Sequence, residues 1–361
     1  MTDQVPPADR LAEDREGIGL AASSVARPAA VQSVGQLALH EEPVSVPSDR
    51  RLAYEAGVEL EARSQWTYVR IRFFHHRLAV ASLVVLILLA LVAIFAKQLA
   101  PYQYDALDLD NIAASPTLEG THWFGTDFLG RDYLSRVIYG VRTSLWVAVF
   151  VAALATAIGT AIGAIAGFYG GHVDNLLMRV TDLVLTVPGL AVLLTAAVFL
   201  GAGDTKVDVG PVSVTIPQPM KIGLILALLF WTSFARIVRG LFLSLREKEF
   251  VEAAKAAGAS DLRIIVRHIL PNCVGPIVVT MTLIIAIAIL TEAALSFLGF
   301  GIQPPQAALG KLIAEGQTEG FALWWLVTFP GLAIVIVCLA INFVGDGLRD
   351  ALDPTQRRTR A

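Results

Sequence analysis

Long uncharged apolar segments dominate the chain from residue 78 onward. A helix that crosses a bilayer core of about 30 Å needs about 20 predominantly apolar residues, and most of these segments reach that length. Their ranges are 78–96, 143–171, 183–203, 222–235, 269–291 and 321–345. The pattern predicts an all-α integral membrane protein with six transmembrane helices.

The fourth segment is the weakest of the six, because a cation follows it at Arg236. It crosses only if Lys221 extends toward one membrane surface and Arg236 and Arg239 extend toward the other. We therefore expect this span to be the short or bent one. Pro188 in the third segment and Pro330 in the sixth can also bend a helix, although membrane helices often tolerate proline without any such role.

The regions outside these segments differ in character. Residues 1–57 contain several prolines and no sustained periodicity, which predicts a disordered cytoplasmic tail, with a short partner-binding segment as the alternative. Residues 58–77 mix aromatic residues with arginines and predict an amphipathic helix at the membrane interface. The remaining divisions are a first transmembrane helix at 78–96, an external loop at 97–140, a transmembrane core at 141–346 and a cytoplasmic tail at 347–361.

Composition and charge support a membrane protein. Hydrophobic residues make up 55% of the chain and charged residues only 16%, against about 25% charged in soluble domains. The net charge of −3 argues against a nucleic-acid partner, and the two cysteines, Cys273 and Cys338, cannot form a disulfide framework. Lys and Arg near the span ends concentrate on one side, which predicts that both termini are cytoplasmic.

The connection between the fourth and fifth segments, residues 246–271, predicts two short helices joined at a corner. Strong helix formers fill 246–257, Gly258 ends that helix, Ser260 can cap a second one, and Pro271 ends or kinks the second helix. The two predicted apolar stripes are Phe250, Val251, Ala254 and Ala257, and then Leu262, Ile265, Val266 and Ile269. Such an elbow either rests on lipid or docks onto a partner protein.

The same connection resembles the EAA loop of binding-protein-dependent ABC importer permeases. The family pattern is EAA, three residues, Gly, nine residues and I-x-L-P, and Glu252-Ala253-Ala254, Gly258 and Leu270-Pro271 match it. His268 stands where the family has isoleucine, and this departure is similar to the dipeptide, oligopeptide and nickel branch. Further matches to that branch are Trp123-Phe124-Gly125-Thr126-Asp127, Gly130-Arg131-Asp132, Leu295-Ser296-Phe297-Leu298-Gly299 and Gly345-Asp346-Gly347.

The resemblance implies a type I ABC importer permease fold with a cytoplasmic coupling helix. In such a complex two permease chains form the pathway, two cytoplasmic ATPase subunits bind ATP and Mg²⁺, and an external binding protein delivers the substrate. This chain resembles the second, C-type permease, located in the cytoplasmic membrane of a prokaryote, and it is not expected to be an enzyme. Glu252 would meet basic groups on an ATPase, Ala253 and Ala254 would allow close approach, and Gly258 would form the corner.

A dipeptide or oligopeptide is the substrate that the resemblance favours, with nickel or another small solute of the same branch as the alternative. No cofactor is expected in this chain, because Leu312 follows Gly310-Lys311 where a nucleotide-binding loop needs Ser or Thr. A self-sufficient secondary carrier is the alternative from a different class. It is disfavoured because the span centres carry almost no charge and no internal repeat is evident.

Three further sets of residues are candidates for a role. Gly159, Gly163 and Gly167 recur every four residues and predict close helix packing, with the seam between two permeases as one location. Glu292 adjoins an apolar segment, so it is a candidate for the transport pathway, with interfacial pairing as the alternative. The external-loop residues expected to pack a folded cap or to contact the binding protein, and not to bind a metal, are Phe124, Gly125, Asp127, Arg131 and Asp132.

Overall fold

The computed structural model describes residues 65–201, 203–209, 212–318 and 322–352. The predicted tail at 1–57 lies outside these residues, as do 58–64 and 353–361. In chain order the elements are α1 (Gln65–His75), α2 (Arg77–Ile94), α3 (Ala96–Leu99), α4 (Tyr133–Tyr169), α5 (Gly171–Thr186), α6 (Gly189–Leu200), β1 (Thr205–Val209), β2 (Val212–Ile216), α7 (Gln218–Leu245), α8 (Glu249–Ala256), α9 (Asp261–Phe297), α10 (Leu309–Gln317) and α11 (Trp325–Leu352).

Within the described ranges, five helices are long and apolar enough to cross a membrane, namely α2, α4, α7, α9 and α11. The helices α5 and α6 make a sixth span when they are counted together, and they are bent by 82° at the break between them. The all-α membrane fold is therefore confirmed. One element was not predicted: β1 and β2 form an antiparallel hairpin, in which Thr205 pairs with Ile216 and Val209 with Val212.

The bend lies in the third apolar segment, so the expectation that the fourth span is short or bent was wrong. Val187 adopts an extended conformation with φ −82° and ψ 131°, and Pro188 precedes the first residue of α6. A residue before proline is pushed out of the helical region, and proline has no N–H to continue the hydrogen-bond ladder. Pro330, in contrast, lies inside the continuous helix α11.

The fourth span is a single 28-residue helix, α7, because its cations find partners within the protein. Lys221 was expected to extend into water, yet it is only 5% exposed, and its Nζ donates to the carbonyl oxygens of Leu200 (2.9 Å) and Gly201 (3.0 Å) and to Thr205 Oγ1 (2.8 Å). These carbonyls end α6, where a cation is stabilised by the helix dipole.

The other end of α7 is fastened to α5 by two ion pairs. Arg236 pairs with Asp182. Arg239 forms a bidentate ion pair with Asp174, whose Oδ2 lies 2.6 Å from Arg239 Nη2. Both arginines were expected to extend toward the membrane surface. Their ion pairs instead hold the first half of the bent span against α7.

Three predicted boundaries also move. The helix α4 begins at Tyr133, inside the predicted loop at 97–140, because the Asp132 carboxylate accepts a hydrogen bond from Ser135 N and so caps the helix. The helix α11 continues to Leu352, past the predicted start of the tail at 347. The predicted helix at 58–77 appears as α1, which ends at His75, and His76 caps α2 by accepting from Ala79 N.

The three spaced glycines of α4 pack against α7 of the same chain. A Cβ added at Gly159 would lie 2.8 Å from the carbonyl oxygen of Trp231, and one added at Gly167 would lie 2.7 Å from that of Arg239. At Gly163 an added Cβ would meet backbone atoms of α7 as well. Because these faces are filled from within the chain, the glycines do not lie at a seam between two permeases.

Candidate functional site

The elbow, residues 246–271, turns at Gly258. Gly258 has φ +78°, and its N–H donates to the carbonyl oxygen of Lys255 at 2.9 Å, while Ala259 N donates to that of Ala254 at 3.0 Å. These two bonds satisfy the last carbonyls of α8 in the usual manner of a glycine-terminated helix. No described residue lies within 4 Å of a Cβ added at Gly258. The glycine is therefore required by its backbone conformation and not by lack of space.

The inner face of α8 joins the transmembrane helices. Val251 is fully buried and Ala254 nearly so, and both belong to one apolar cluster with Phe242 of α7 and with Ile264 and Ile269 of α9. Two members of the predicted stripe, Phe250 and Ala257, are instead exposed. The elbow is thus packed onto the bundle through a narrow line of small and branched side chains.

The second half of the elbow differs from the prediction. No separate helix ends at Pro271: α9 passes without a break from Asp261 through a π-helical turn, Ile264–Ile269, into the span. In that turn Leu270 N donates to Ile265 O, five residues back. Ser260 occupies the N-cap position of α9, but its side chain makes no capping hydrogen bond.

This turn changes which side chains of the elbow are covered. Residues five apart share a face of a π-helix, so Ile264 and Ile269 are buried together. Leu262 and Val266, which the helical pattern predicted to be inside, are 71% and 53% exposed.

Part of the exposed side of the elbow, here called the outer face, carries apolar groups and one charged group, Glu252. Its members are Phe250, Glu252, Ala253, Ala257, Gly258, Leu262 and Val266. Of the residues in the loop motif, Glu252 and Ala253 are exposed, Ala254 is turned inward, Leu270 is half-buried and Pro271 is exposed. An exposed surface of this kind, on a backbone fixed from behind, is suited to binding a second protein.

Two cations connect the elbow to the end of α4, and sequence reasoning did not identify either contact. Arg246 Nη1 donates to the carbonyl oxygens of Gly167 (3.2 Å) and Phe168 (3.5 Å), which lie at the C-terminus of that helix. Lys255 Nζ lies 5.9 Å from the centre of the Phe168 ring, within the range of a cation–π interaction. The available signal was Arg246 itself, which directly follows α7. A cation at that position can bind the C-terminus of a neighbouring helix, because helix C-termini attract positive charge.

Glu292 is enclosed by the protein. Its side chain is completely buried, and it accepts hydrogen bonds from Ser144 Oγ of α4 (2.7 Å) and from Ser296 Oγ (2.8 Å). Ser296 Oγ also accepts from Ile302 N at 3.1 Å. This arrangement joins α4, α9 and the turn that follows α9. It favours a packing role over the predicted place in the transport pathway.

The predicted contact residues of the external loop belong to a cap, residues 100–132, that covers the beginning of α4. Asp127, Arg131 and Asp132 are buried, Gly125 is buried with φ +75°, and Phe124 stacks on Phe329 with ring centroids 4.0 Å apart. These side chains are therefore occupied by packing. A partner that binds the cap would contact its exposed residues instead.

Two clusters of paired polar side chains organise the cap, and the first is centred on Asp127. Asp127 Oδ2 lies 2.6 Å from both Arg131 Nε and Arg136 Nη1, and Arg136 Nη1 also contacts Glu315 Oε2 of α10 at 2.9 Å. In this way the cap is joined to α4 and α10. Charges that are buried this deeply persist only when they are paired.

The second cluster is centred on His122. Its Nδ1 lies 2.9 Å from Asp132 Oδ1 and its Nε2 lies 3.2 Å from Asp108 Oδ2. Burial favours the neutral imidazole, but the hydrogen bonds and charges of Asp132 and Asp108 outweigh it and raise the pKa of His122 above its usual range. Hydrogen bonds from Asn111 and His122 lower the pKa of Asp108.

The chain is similar to known transport proteins over most of its length. Residues 159–358 match the family described as the binding-protein-dependent transport system inner membrane component, and residues 64–116 match the N-terminal TM domain of oligopeptide transport permease C. The chain is 42% identical over 304 residues to the oligopeptide transport system permease protein OppC of Escherichia coli strain K12, which covers 84% of this chain and 96% of that protein.

A second relative is similar over nearly the same length. The oligopeptide transport system permease protein OppC of Mycobacterium tuberculosis strain H37Rv is 41% identical over 300 residues, covering 83% of this chain and 98% of that protein. The resemblance of the elbow to the EAA loop is therefore part of a similarity that extends across the whole bundle. The chain belongs to the family of inner-membrane permease components of binding-protein-dependent transport systems.

Proposed function

We propose that this chain is the C-type permease subunit of an ATP-driven importer of oligopeptides or dipeptides. The two relatives described above are named oligopeptide permeases and are similar along nearly their full length, which supports a peptide substrate. A second permease chain, two ATPase subunits that bind ATP and Mg²⁺, and an external binding protein complete the proposed transporter. Both termini then face the cytoplasm, with the elbow on the ATPase side.

The construction of the elbow is the observation that carries this proposal. Its outer face is exposed, while its inner face is continuous with the packing of α7 and α9. Arg246 fastens it to the end of α4 as well. A displacement of the outer face is therefore transmitted to three transmembrane helices together, because packed helices move as rigid bodies and resist continuous deformation. An ATPase that closes on bound ATP would displace the outer face, and the resulting movement of these helices would change the transport pathway.

Glu252 is the residue of the outer face best suited to specific binding of a partner protein. It is exposed, it lies in the first turn of α8, and its carboxylate makes no ion pair with a described residue. We expect a cationic group of the ATPase to pair with it. Ala253 beside it presents only a methyl group, which leaves room for the partner backbone.

Purification from native membranes tests the proposal. The tagged protein is isolated in mild detergent, and the co-purifying proteins are identified by mass spectrometry, for the wild type, for Glu252→Arg and for the control Glu119→Arg, which reverses an exposed acid of the cap. We expect a second permease and ATPase subunits with the wild type and the control, and a several-fold loss of ATPase with Glu252→Arg. Isolation of the wild type as a homo-oligomer alone would favour the secondary carrier.

Substrate class is tested separately. Membrane vesicles that contain the complete complex are supplied with a tripeptide or with Ni²⁺, each with ATP on the ATPase side. Uptake of the tripeptide alone is the expected result. Uptake of Ni²⁺ without peptide would assign the permease to the other solutes of this branch.

A further inference from the structure

A cavity of about 530 Å³ opens at the end of the bundle that carries the cap. Its volume lies within the range of about 300–1,000 Å³ that is usual for small-molecule sites. Tyr139, Arg142, Trp146 and Phe150 follow one another at spacings of three or four along α4, so one face of that helix forms a wall. Tyr104 of the cap extends this wall, with its ring centroid 4.8 Å from that of Tyr139.

Arg142 is the feature of the cavity that calls for a ligand. It is half-buried, and it makes no ion pair or hydrogen bond with any residue in the described ranges. Two arginines elsewhere in the bundle are matched by carboxylates: Arg136 pairs with Asp127, and Arg239 pairs with Asp174. A guanidinium in aromatic surroundings gains most from a carboxylate, which it can bind with two parallel hydrogen bonds.

Gln306 supplies a second and independent observation. It lines the same cavity, and its side-chain Oε1 is buried without any hydrogen-bond partner among the described residues. An amide oxygen that is buried without a partner is destabilising until a hydrogen-bond donor reaches it. A side-chain amide offers one acceptor and one donor group, which is the pattern that complements a peptide unit.

From these groups we infer that the cavity is a binding site for the C-terminal end of a peptide. The terminal carboxylate pairs with Arg142, the adjacent peptide group bonds with Gln306, and an apolar side chain lies against Trp146 and Phe150. A lipid phosphate would satisfy Arg142 but would leave the Gln306 amide unmatched.

The position of the cavity agrees with an entry site. Arg142 is separated from Gly167, where Arg246 of the elbow binds, by 25 positions along α4, a rise of roughly 37 Å at 1.5 Å per residue. The cavity and the elbow therefore lie at opposite ends of the transmembrane bundle. The inference rests on the proposed import of peptides, because it gives that function a recognition step at the surface opposite the ATPases.

The test compares two forms of one peptide in vesicles that contain the complete transporter. One tripeptide has a free C-terminal carboxylate, and the other is the same tripeptide with a C-terminal amide. Each is supplied already bound to the external binding protein, which is present at a saturating concentration. Each uptake rate is then divided by the wild-type rate for the same peptide, so that any preference of the binding protein cancels. The variants are Arg142→Gln, Arg142→Lys and Gln306→Leu, and the control is Lys97→Gln, which removes an exposed cation outside the cavity.

We expect Arg142→Gln to lower uptake of the free acid about tenfold, since a hydrogen bond to a charged group is lost, and to lower uptake of the amide by less than about twofold. Arg142→Lys keeps the positive charge but lacks the planar guanidinium. It should therefore lose part of the preference for the free acid over the amide. Gln306→Leu should lower uptake of both peptides by a similar factor of about three, since it contacts a group that they share. The control should match the wild type.

Equal losses for acid and amide in both Arg142 variants would overturn the inference, as would wild-type uptake in all three cavity variants. If Arg142→Gln does not assemble, Arg142→Lys and Gln306→Leu decide the question by the same criteria. A wild-type complex that imports neither peptide would instead refute the proposed function, and the inference with it. The two failures are therefore distinguishable.

Discussion

The contact between α4 and α7 gives the sharpest stability prediction, because the chain contains a matched pair of glycines. An added Cβ at Gly163 would lie 2.8 Å from Val238 Cβ and 3.0 Å from Arg239 N, and closer still to the carbonyl oxygen of Ala235. At Gly240, which lies in α7 and is exposed, the added Cβ would meet no atom of the described ranges within 4 Å. The substitutions Gly163→Ala and Gly240→Ala therefore differ mainly in this contact.

The expected magnitude follows from that difference. Each substitution gains up to about 1 kcal/mol of helix propensity, and this gain cancels between the two variants. Only Gly163→Ala forces two helix backbones apart, and overpacking of this kind costs about 1–3 kcal/mol. We expect the free energy of unfolding of Gly163→Ala to be lower than that of Gly240→Ala by about 2 kcal/mol, which is about a 30-fold change in the unfolding equilibrium.

The assay is unfolding of the purified protein in mixed micelles of increasing sodium dodecyl sulfate fraction, followed by far-ultraviolet circular dichroism. Both variants are compared with the wild type in the same micelles. Equal midpoints for the two variants, or a more stable Gly163→Ala, would refute the packing argument. In that case the spacing of the glycines along α4 would need another explanation.

Three further predictions concern the elbow, the cap and the bent span. Gly258→Val places a β-branched residue at φ +78°, so ATP hydrolysis should continue while peptide uptake per ATP falls several-fold; unchanged stoichiometry would count against the elbow as the coupling element. Protonated His122 stabilises the folded cap, and because its pKa is raised from 6.5, this stabilisation is complete below that value and lost as pH rises through the higher folded-state pKa. The thermal midpoint should fall over this pH range in the wild type but not in His122→Gln, and identical profiles would contradict the assignment. Lys221→Met leaves the carbonyls of Leu200 and Gly201 without their donor and should lower the free energy of unfolding by about 2 kcal/mol. Amide exchange should then become faster at the end of α6, and faster exchange confined to other helices would show that Lys221 does not hold this end of the bent span.

Several features of this fold were accessible from the sequence because they depend on local patterns. The number of spans follows from the length of apolar segments, since a bilayer core accepts only helices of sufficient length. The glycine corner of the elbow was predictable for a similar reason, since a helix followed by Gly258 ends there whatever surrounds it. The EAA-like spacing at Glu252, Ala253 and Gly258 pointed to the family, and the comparisons bear this out.

Other features depended on contacts between distant residues. Lys221 and Arg239 could not be assigned partners from the sequence, because Leu200 and Asp174 come near them only after α5 and α6 fold back on α7. The cap residues were ambiguous for the same reason: Asp127 is a packing residue because Arg131 and Arg136 pair with it, and Arg136 also pairs with Glu315 of α10.

The sequence by itself determined an apolar helical bundle, its family and the corner of its elbow, because hydrophobic length, spacing and the freedom of glycine act over a few residues. Only the tertiary structure decided which span bends, which side of the elbow stays exposed and which polar groups remain without partners. A π-helical turn at 264–269 shifts Leu262 and Val266 outward, and no periodicity in the chain specifies that shift. The cavity that leaves Arg142 and Gln306 unmatched also forms only where α4 meets segments far from it in the chain.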